Sequence, residues 1–219
     1  MILNFNKPCY ISSFSFIYNI KKRHKLKKIS HAGTLDPLAE GVMIVLTDTD
    51  CKKQEKFMKL DKEYEAKILL GASSPSYDLE KQLTFENNIP LINKKALEDV
   101  LKSLEGEIKL PVPMFSAKRI SGTRLYKMAR REKEPDEMPM MNSKVYSITQ
   151  TGEETFDYFG HEYPVIKLLI YCSSGTYIRT LAHEIGQRLG TSSVLLHLKR
   201  TKAGDFVLSD SKSEDSNLV

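Results

Sequence analysis

Tyr64, Ala66, Ile68 and Leu70 stand at alternate positions of "KEYEAKILLG". A period of two puts all four on one face of a strand, and that face must lie on a core. "TYIRTLAHEIGQRLG" carries the other period. Ile178, Leu181, Ala182, Ile185 and Leu189 form one helical stripe, Thr176 stands at the capping position and Gly190 supplies the stop. A chain with both patterns builds a sheet and covers it with helices.

The remaining segments fit the same plan. "SSFSFIYNIKKRHKL" reads as a helix capped by Ser12 or Ser13, with Phe14, Ile17 and Ile20 at helical spacing and the basic run as its last turns. Residues 30–41 read as a loop and "VMIVL", 42–46, as a buried strand. "ASSPSYD" reads as a loop, and "NKKALEDVLKSLEGEI" as a helix with Asn93 as its cap. "LPVPMFSAKRI" starts extended or at a sheet edge because of its prolines. "SGTRLYKMARRE" reads as helical and "PDEMPMM" as a loop. Residues 144–175 read as two strands around a polar turn, and "SVLLHLKRTKAGDFVLSD" as two short strands around another. Strands and helices mix without a βαβ rhythm, there is no internal repeat, and no linker is long enough to split two domains. The expected class is α+β, on one mixed or antiparallel sheet.

Composition narrows the function classes. The chain has 219 residues and a hydrophobic fraction of 41%. No apolar run approaches the roughly 20 residues of a membrane span, and the N-terminus lacks the pattern of a signal peptide. The expected location is the cytoplasm. Cys9, Cys51 and Cys172 are far apart, with no C-x-x-C pair and no ligand spacing, so neither a disulfide scaffold nor a metal site is expected. Nucleotide-binding, metalloprotease and nucleophile-elbow motifs are absent. Net charge is +5, gathered in three groups: "KKRHKLKK" (21–28), residues 117–133, and "HLKRTK" (197–202). Three basic groups point to a phosphate backbone as partner.

Two positions offer chemistry. Asp36 lies between Leu35 and Pro37, framed by Gly33 and Gly41. It reads either as an ordinary turn residue or as an acid presented by a rigid loop at the mouth of a strand. Arg179 and Tyr177 fall in the first turn of the 177–189 helix, where an arginine either faces solvent or pairs with a carboxylate. An acid, an arginine, several tyrosines and basic surface need no cofactor.

Taken together, "KISHAGTLDPLAEGVMIVLTD", "KEYEAKILLG", "PVPMFSAKRISGTRLYKMAR", "CSSGTYIRTLAHEIGQRLG" and "HLKRTKAGDFVLSD" resemble the TruB family of tRNA pseudouridine synthases. Order and spacing match from Lys7 to about Asp210. The resemblance implies the pseudouridine synthase fold, a largely antiparallel central sheet flanked by helices, over residues 1–210, with 211–219 as a polar, frayed tail. It implies isomerisation of the uridine at position 55 in the T loop of tRNA, without cofactor or metal. Asp36 would be the catalytic nucleophile, attacking the ribose carbon or the uracil ring, or assisting removal of a ribose proton. Arg179 would pair with Asp36, keeping it ionised and aimed. Tyr64 would stack on the target base and act in proton transfer. Tyr177 and Leu198 would line the uridine pocket. His31 would enter the T loop and fill the space left by the flipped base.

The chain departs from the family pattern in places. Tyr10 replaces a glycine in "KPCYISS", which predicts a different turn, because a tyrosine does not readily take φ > 0. "SSPSYD" keeps only Asp78 in register, and Phe115 replaces the usual tyrosine. A C-terminal PUA domain, which many members carry, is not expected here, and the basic run 21–28 would supply part of that RNA contact. The expected partner is the tRNA T stem-loop, with no membrane, no obligatory protein partner, and a monomeric state.

Overall fold

A computed structural model describes residues 1–217 except 121, 132, 134 and 136. The N-terminal third holds β1 (Ile2–Lys7), α1 (Ser13–Arg23), β2 (Ile29–Ala32), β3 (Ala39–Thr47), a 3-10 helix (Asp48–Lys53), α2 (Gln54–Met58) and β4 (Lys62–Leu70). There follow β5 (Ala72–Ser73), β6 (Thr84–Phe85), α3 (Lys94–Ser103), β7 (Gly106–Pro111), β8 (Arg119–Ile120), β9 (Thr123–Arg124) and α4 (Leu125–Ala129). The last third holds β10 (Met140–Tyr158), β11 (His161–Cys172), α5 (Ile178–Arg188), β12 (Ser193–Ala203) and β13 (Phe206–Val207).

The main sheet runs β1-β3-β12-β4-β11-β10-β7, with β2 on β3 and β13 on β12. β1 and β2 pair with β3, β7 with β10 and β13 with β12, all antiparallel. β3 and β12 run parallel, Leu198 opposite Ala39 and Arg200 opposite Gly41. The fold is α+β on a mixed, largely antiparallel central sheet, as expected. The prolines also fall where expected: Pro111 closes β7, the last strand of the order.

Local chemistry sets the helices. The Ser12 side chain accepts from the Ser15 amide and starts α1, and the Asn93 side chain does the same for α3 through Ala96. α1 differs from expectation in two ways. It stops at Arg23, so residues 24–28 of the basic run lie beyond it, with Lys25 at φ 50°. Its buried face is Ser13, Phe16, Ile17 and Ile20, and Phe14 points to solvent. α5 begins at Ile178, and its N-cap position is Tyr177 rather than Thr176, with no capping side-chain bond. α4 is shorter than the helix expected over 121–132, two of whose residues lie outside the described set, as does Asp136 of the expected loop 135–141.

The chain forms two compact units. The first is Met1–Ala66, Leu169–Gly175 and His197–Val219, and the second is Lys67–Leu168 and Thr176–Leu196. In the first, Val42, Ile44 and Leu46 of β3 pack with Ala32 and Ala203. Every residue from Val42 to Leu46 is fully buried, so the run reads as a strand covered on both sides. In the second, Leu69, Tyr163, Val165 and Val194 form a core with Phe85 and Phe156 against it. Residues 211 and 212 continue in order, Lys212 bonding through its backbone to Asn4 and Asn6 of β1.

Candidate active site

Asp36 belongs to the first unit, in the short connection between β2 and β3. Its neighbours are fastened on both sides. The buried Ser13 hydroxyl donates to the Leu35 carbonyl at 2.6 Å and accepts from the Leu35 amide at 2.9 Å. The Tyr10 amide donates to the Pro37 carbonyl at 2.7 Å, and the Ala39 amide to the Asp36 carbonyl at 3.0 Å. The Cys9 thiol lies 3.3 Å from the Leu38 carbonyl. A carboxylate between two fixed peptides has little backbone freedom left. His31 is not in a loop: it lies on β2, paired with Val45.

Tyr10 takes the left-handed conformation that a tyrosine does not readily adopt, at φ 64° and 86% exposed. The tyrosine tolerates strain of about 1 kcal/mol, and its amide is thereby aimed at Pro37.

Beneath the loop lies Arg200, only 1% exposed. Its Nε donates to the Val42 carbonyl at 2.7 Å and its Nη2 to the Gly33 carbonyl at 3.0 Å, and its guanidinium bonds the Tyr64 phenol. The framing glycines follow from this. A Cβ on Gly41 (φ 107°) would stand 2.8 Å from the Arg200 backbone nitrogen and closer still to its carbonyl. Gly33 (φ 93°) faces the Arg200 guanidinium. Leu198 is buried two residues before Arg200, level with Ala39.

The electrostatics of this region are dominated by buried cations. Burial lowers the Lys7 ammonium to about 8, although Cys9 and Asp36 act to hold the charge on it. Its three hydrogens are partly used on the Pro8 and Ile11 carbonyls, each at 2.8 Å. Lys62 is also lowered to about 8, by burial and then by Arg200, and it donates to the Met58 carbonyl at 2.7 Å and to that of Leu60. Burial raises the Tyr64 phenol against the pull of Arg200. Burial and Arg200 lower His31, so it is neutral near pH 7.

Tyr177 and Arg179 belong to the second unit. Arg179 is not a surface cation but 4% exposed. Nη1 donates to the Ser76 carbonyl at 3.1 Å and Nη2 to that of Phe115 at 3.0 Å, while Nε lies 3.6 Å from Asp78. Ser76, through its carbonyl, and Asp78, through its carboxylate, thus bring the altered 73–78 loop to the arginine. Tyr77, between them, sits at φ 60° and stacks on His183 of α5 with ring centroids 4.2 Å apart. Tyr177 is partly buried at the head of α5.

Among the described residues, one trio has the geometry to approach a cation: the ligand atoms of Cys9, Glu40 and His197 lie within 4.8 Å of one another. The Glu40 carboxylate is already 3.4 Å from His197 Nε2 and 3.8 Å from Lys199 Nζ. Sequence reasoning missed Ser13, Lys7, Lys62 and Arg200. A signal for Arg200 was present: it shares the two-residue period of Leu198, which puts it on the buried side of β12.

Residues 21–178 match the model of the TruB family pseudouridylate synthase N-terminal domain. Among curated proteins, the chain is 40% identical over 213 residues to a tRNA pseudouridine synthase B of Parabacteroides distasonis, covering 94% of this chain and 87% of that one. It is equally similar, 40% over 213 residues, to the protein of that name in Bacteroides fragilis, covering 88% of it. Among solved structures, a chain of a Cbf5-Nop10-Gar1 complex superposes with a TM-score of 0.66 at 26% identity. A chain of an H/ACA RNP bound to a substrate RNA containing 2'-deoxyuridine gives 0.66 at 23%. The match covers 94% and 97% of this chain, which spans about half, 49% and 50%, of those two.

Proposed function

The chain belongs to the TruB family of pseudouridylate synthases, and from that premise we propose that it isomerises the T-loop uridine at position 55 of tRNA to pseudouridine. The observation that carries the reading is the immobilised Asp36 peptide, held by Ser13 on one side and Tyr10 on the other. The reaction adds no atoms. The bond from base nitrogen to ribose breaks, the base turns, and a ring carbon takes the ribose. Such a step asks for a nucleophile of fixed position, a way to move one proton, and a site that a flipped base can enter.

In this reading Asp36 is the nucleophile, toward the ribose carbon or the uracil ring, or the group that assists loss of a ribose proton. Tyr64 offers a flat face for stacking and a phenol kept protonated by burial. Arg179, stripped of water and held by carbonyls, supplies a fixed positive charge to the reaction. Leu198 and Tyr177 form apolar walls for the base, and neutral His31 enters the RNA in its place. No cofactor takes part. The protein acts as a monomer in the cytoplasm and grips the T stem-loop.

The test is Asp36→Asn with tRNA tritiated at the uridine ring carbon. The amide is nearly isosteric but is no nucleophile. Tritium release should fall by ~10³-fold or more, equivalent to over 4 kcal/mol of transition-state stabilisation, while tRNA affinity stays near that of the wild type. Full release from the variant refutes the assignment.

A further inference from the structure

α1 has two faces, and the core uses one. Ser13, Phe16, Ile17 and Ile20 turn inward. Phe14 and Tyr18, one turn apart, turn outward at 71% and 44% exposure. Their rings are near-parallel, 11° apart, with centroids separated by 6.1 Å. The next residue on this line, Lys22, holds its ammonium 4.9 Å from the Tyr18 ring centre. The spacing 14, 18, 22 is the i, i+4 row of a helix, so the three form one continuous ledge. Four residues before Phe14 is the exposed Tyr10, whose amide is bonded to Pro37 beside Asp36.

Two exposed aromatic faces in a row ending in a lysine are more than a solvated helix face requires. The chain beyond continues in positive charge: Lys25, Lys27 and Lys28 are exposed. Arg23 is spoken for, because Asp215 and the Glu214 carbonyl take its guanidinium. A second copy of the same face would bring six Lys/Arg of residues 21–28 against six more, a repulsion that disfavours self-pairing. A duplex hides the faces of its bases. An unpaired strand exposes both its bases and its phosphates, and fits a ledge of parallel rings followed by ammonium groups.

We infer that the outer face of α1, Phe14, Tyr18 and Lys22, is a binding site for single-stranded RNA, taking about two unstacked bases on its rings and a phosphate on Lys22. The inference rests on the reading of the chain as an RNA enzyme, and it assigns to α1 a grip on unpaired nucleotides outside the isomerised loop.

The test uses a short fluorescein-labelled oligoadenylate, which holds no uridine and is not a substrate. Its anisotropy is followed with the full chain over a range of salt. Phe14→Ala with Tyr18→Ala should weaken binding about tenfold or more, and leave the slope against salt unchanged. The exchange Phe14→Tyr with Tyr18→Phe should restore wild-type affinity. Lys22→Ala should reduce the magnitude of the salt slope by about 0.7, one phosphate contact. Both side chains are exposed, so an unchanged melting temperature certifies the fold of each variant. Wild-type affinity in the double alanine variant overturns the inference. So does sedimentation showing that the wild type self-associates through this face and the variant does not. Asp36→Asn should bind oligoadenylate like the wild type; loss of tritium release there, with binding intact, separates the catalytic reading from this one.

Discussion

Ser13→Ala removes one oxygen and leaves two peptide groups of Leu35 without partners. Ser13 is 3% exposed and Leu35 also 3%, so water does not take over either bond. A buried backbone group that loses its partner costs about 1–3 kcal/mol, and local relaxation recovers part of that, so the variant should lose about 3 kcal/mol in all. Against a total stability of about 5–15 kcal/mol this is large, and it should lower the urea midpoint by about 1 M. The damage is local to the peptide next to Asp36. Turnover should therefore fall, by about tenfold, through kcat, while KM for tRNA moves little, because the loss is in aiming the carboxylate rather than in holding RNA. Urea unfolding followed by circular dichroism gives the first number and tritium release the second. A midpoint shift worth less than about 0.5 kcal/mol, with kcat intact, refutes the argument that this clamp positions the loop.

Three further outcomes follow from the same region. Gly41→Ala should destabilise by about 3–5 kcal/mol, from a left-handed φ and a Cβ driven into the Arg200 backbone, read as a lowered melting temperature; a neutral result denies the close approach of β3 and β12. Tyr10→Gly should keep or raise stability by up to about 1 kcal/mol in thermal melts, since glycine meets no penalty at φ 64°, and a clear loss counts against strain there. Lys7 and Lys62 titrate near 8 in the folded chain and at 10.5 when unfolded, so between those values the unfolded chain binds more protons and stability rises with pH. Urea midpoints should climb from pH 8 toward 10, less steeply in Lys62→Met, and a flat or falling profile contradicts the burial of these ammonium groups; Cys9 and Tyr64, both pushed up by burial, ionise first in the unfolded chain, from about 9 and about 10, and so temper the rise at its upper end.

What the sequence revealed divides by the range of the interaction. Ser12 and Asn93 were legible as caps because a cap needs only its own next three residues. The Tyr64 face was legible because a period of two is a property of the strand itself. Asp36 could be singled out, but the residues around it leave two readings of its loop open. Ser13 and Phe14 were exchanged: hydrophobic spacing favours Phe14 inward, and it yields because the small hydroxyl at 13 is needed against Leu35. The burial of Lys7 is not legible in the residues around it, and that of Arg200 only in the two-residue period of β12. Residue type predicts exposure on average, and only the long-range carbonyls of Gly33 and Val42, or the turn at Pro8 and Ile11, make burial of a cation tolerable. Tyr10 shows the converse: propensity argued against φ > 0, and one hydrogen bond to Pro37 overrode it.

The bond from Arg200 to Val42 joins residues 158 positions apart. Its consequence concerns time during synthesis. β1, β2 and β3 can pair as soon as they leave the ribosome, and α1 can lay Ser13 against Leu35, yet the floor under Gly33 and Gly41 arrives only with β12. Closing so long a loop is slow and entropically unfavourable until the partner strand exists. A nascent chain therefore carries a nearly formed Asp36 loop for most of its translation without the strand that completes it.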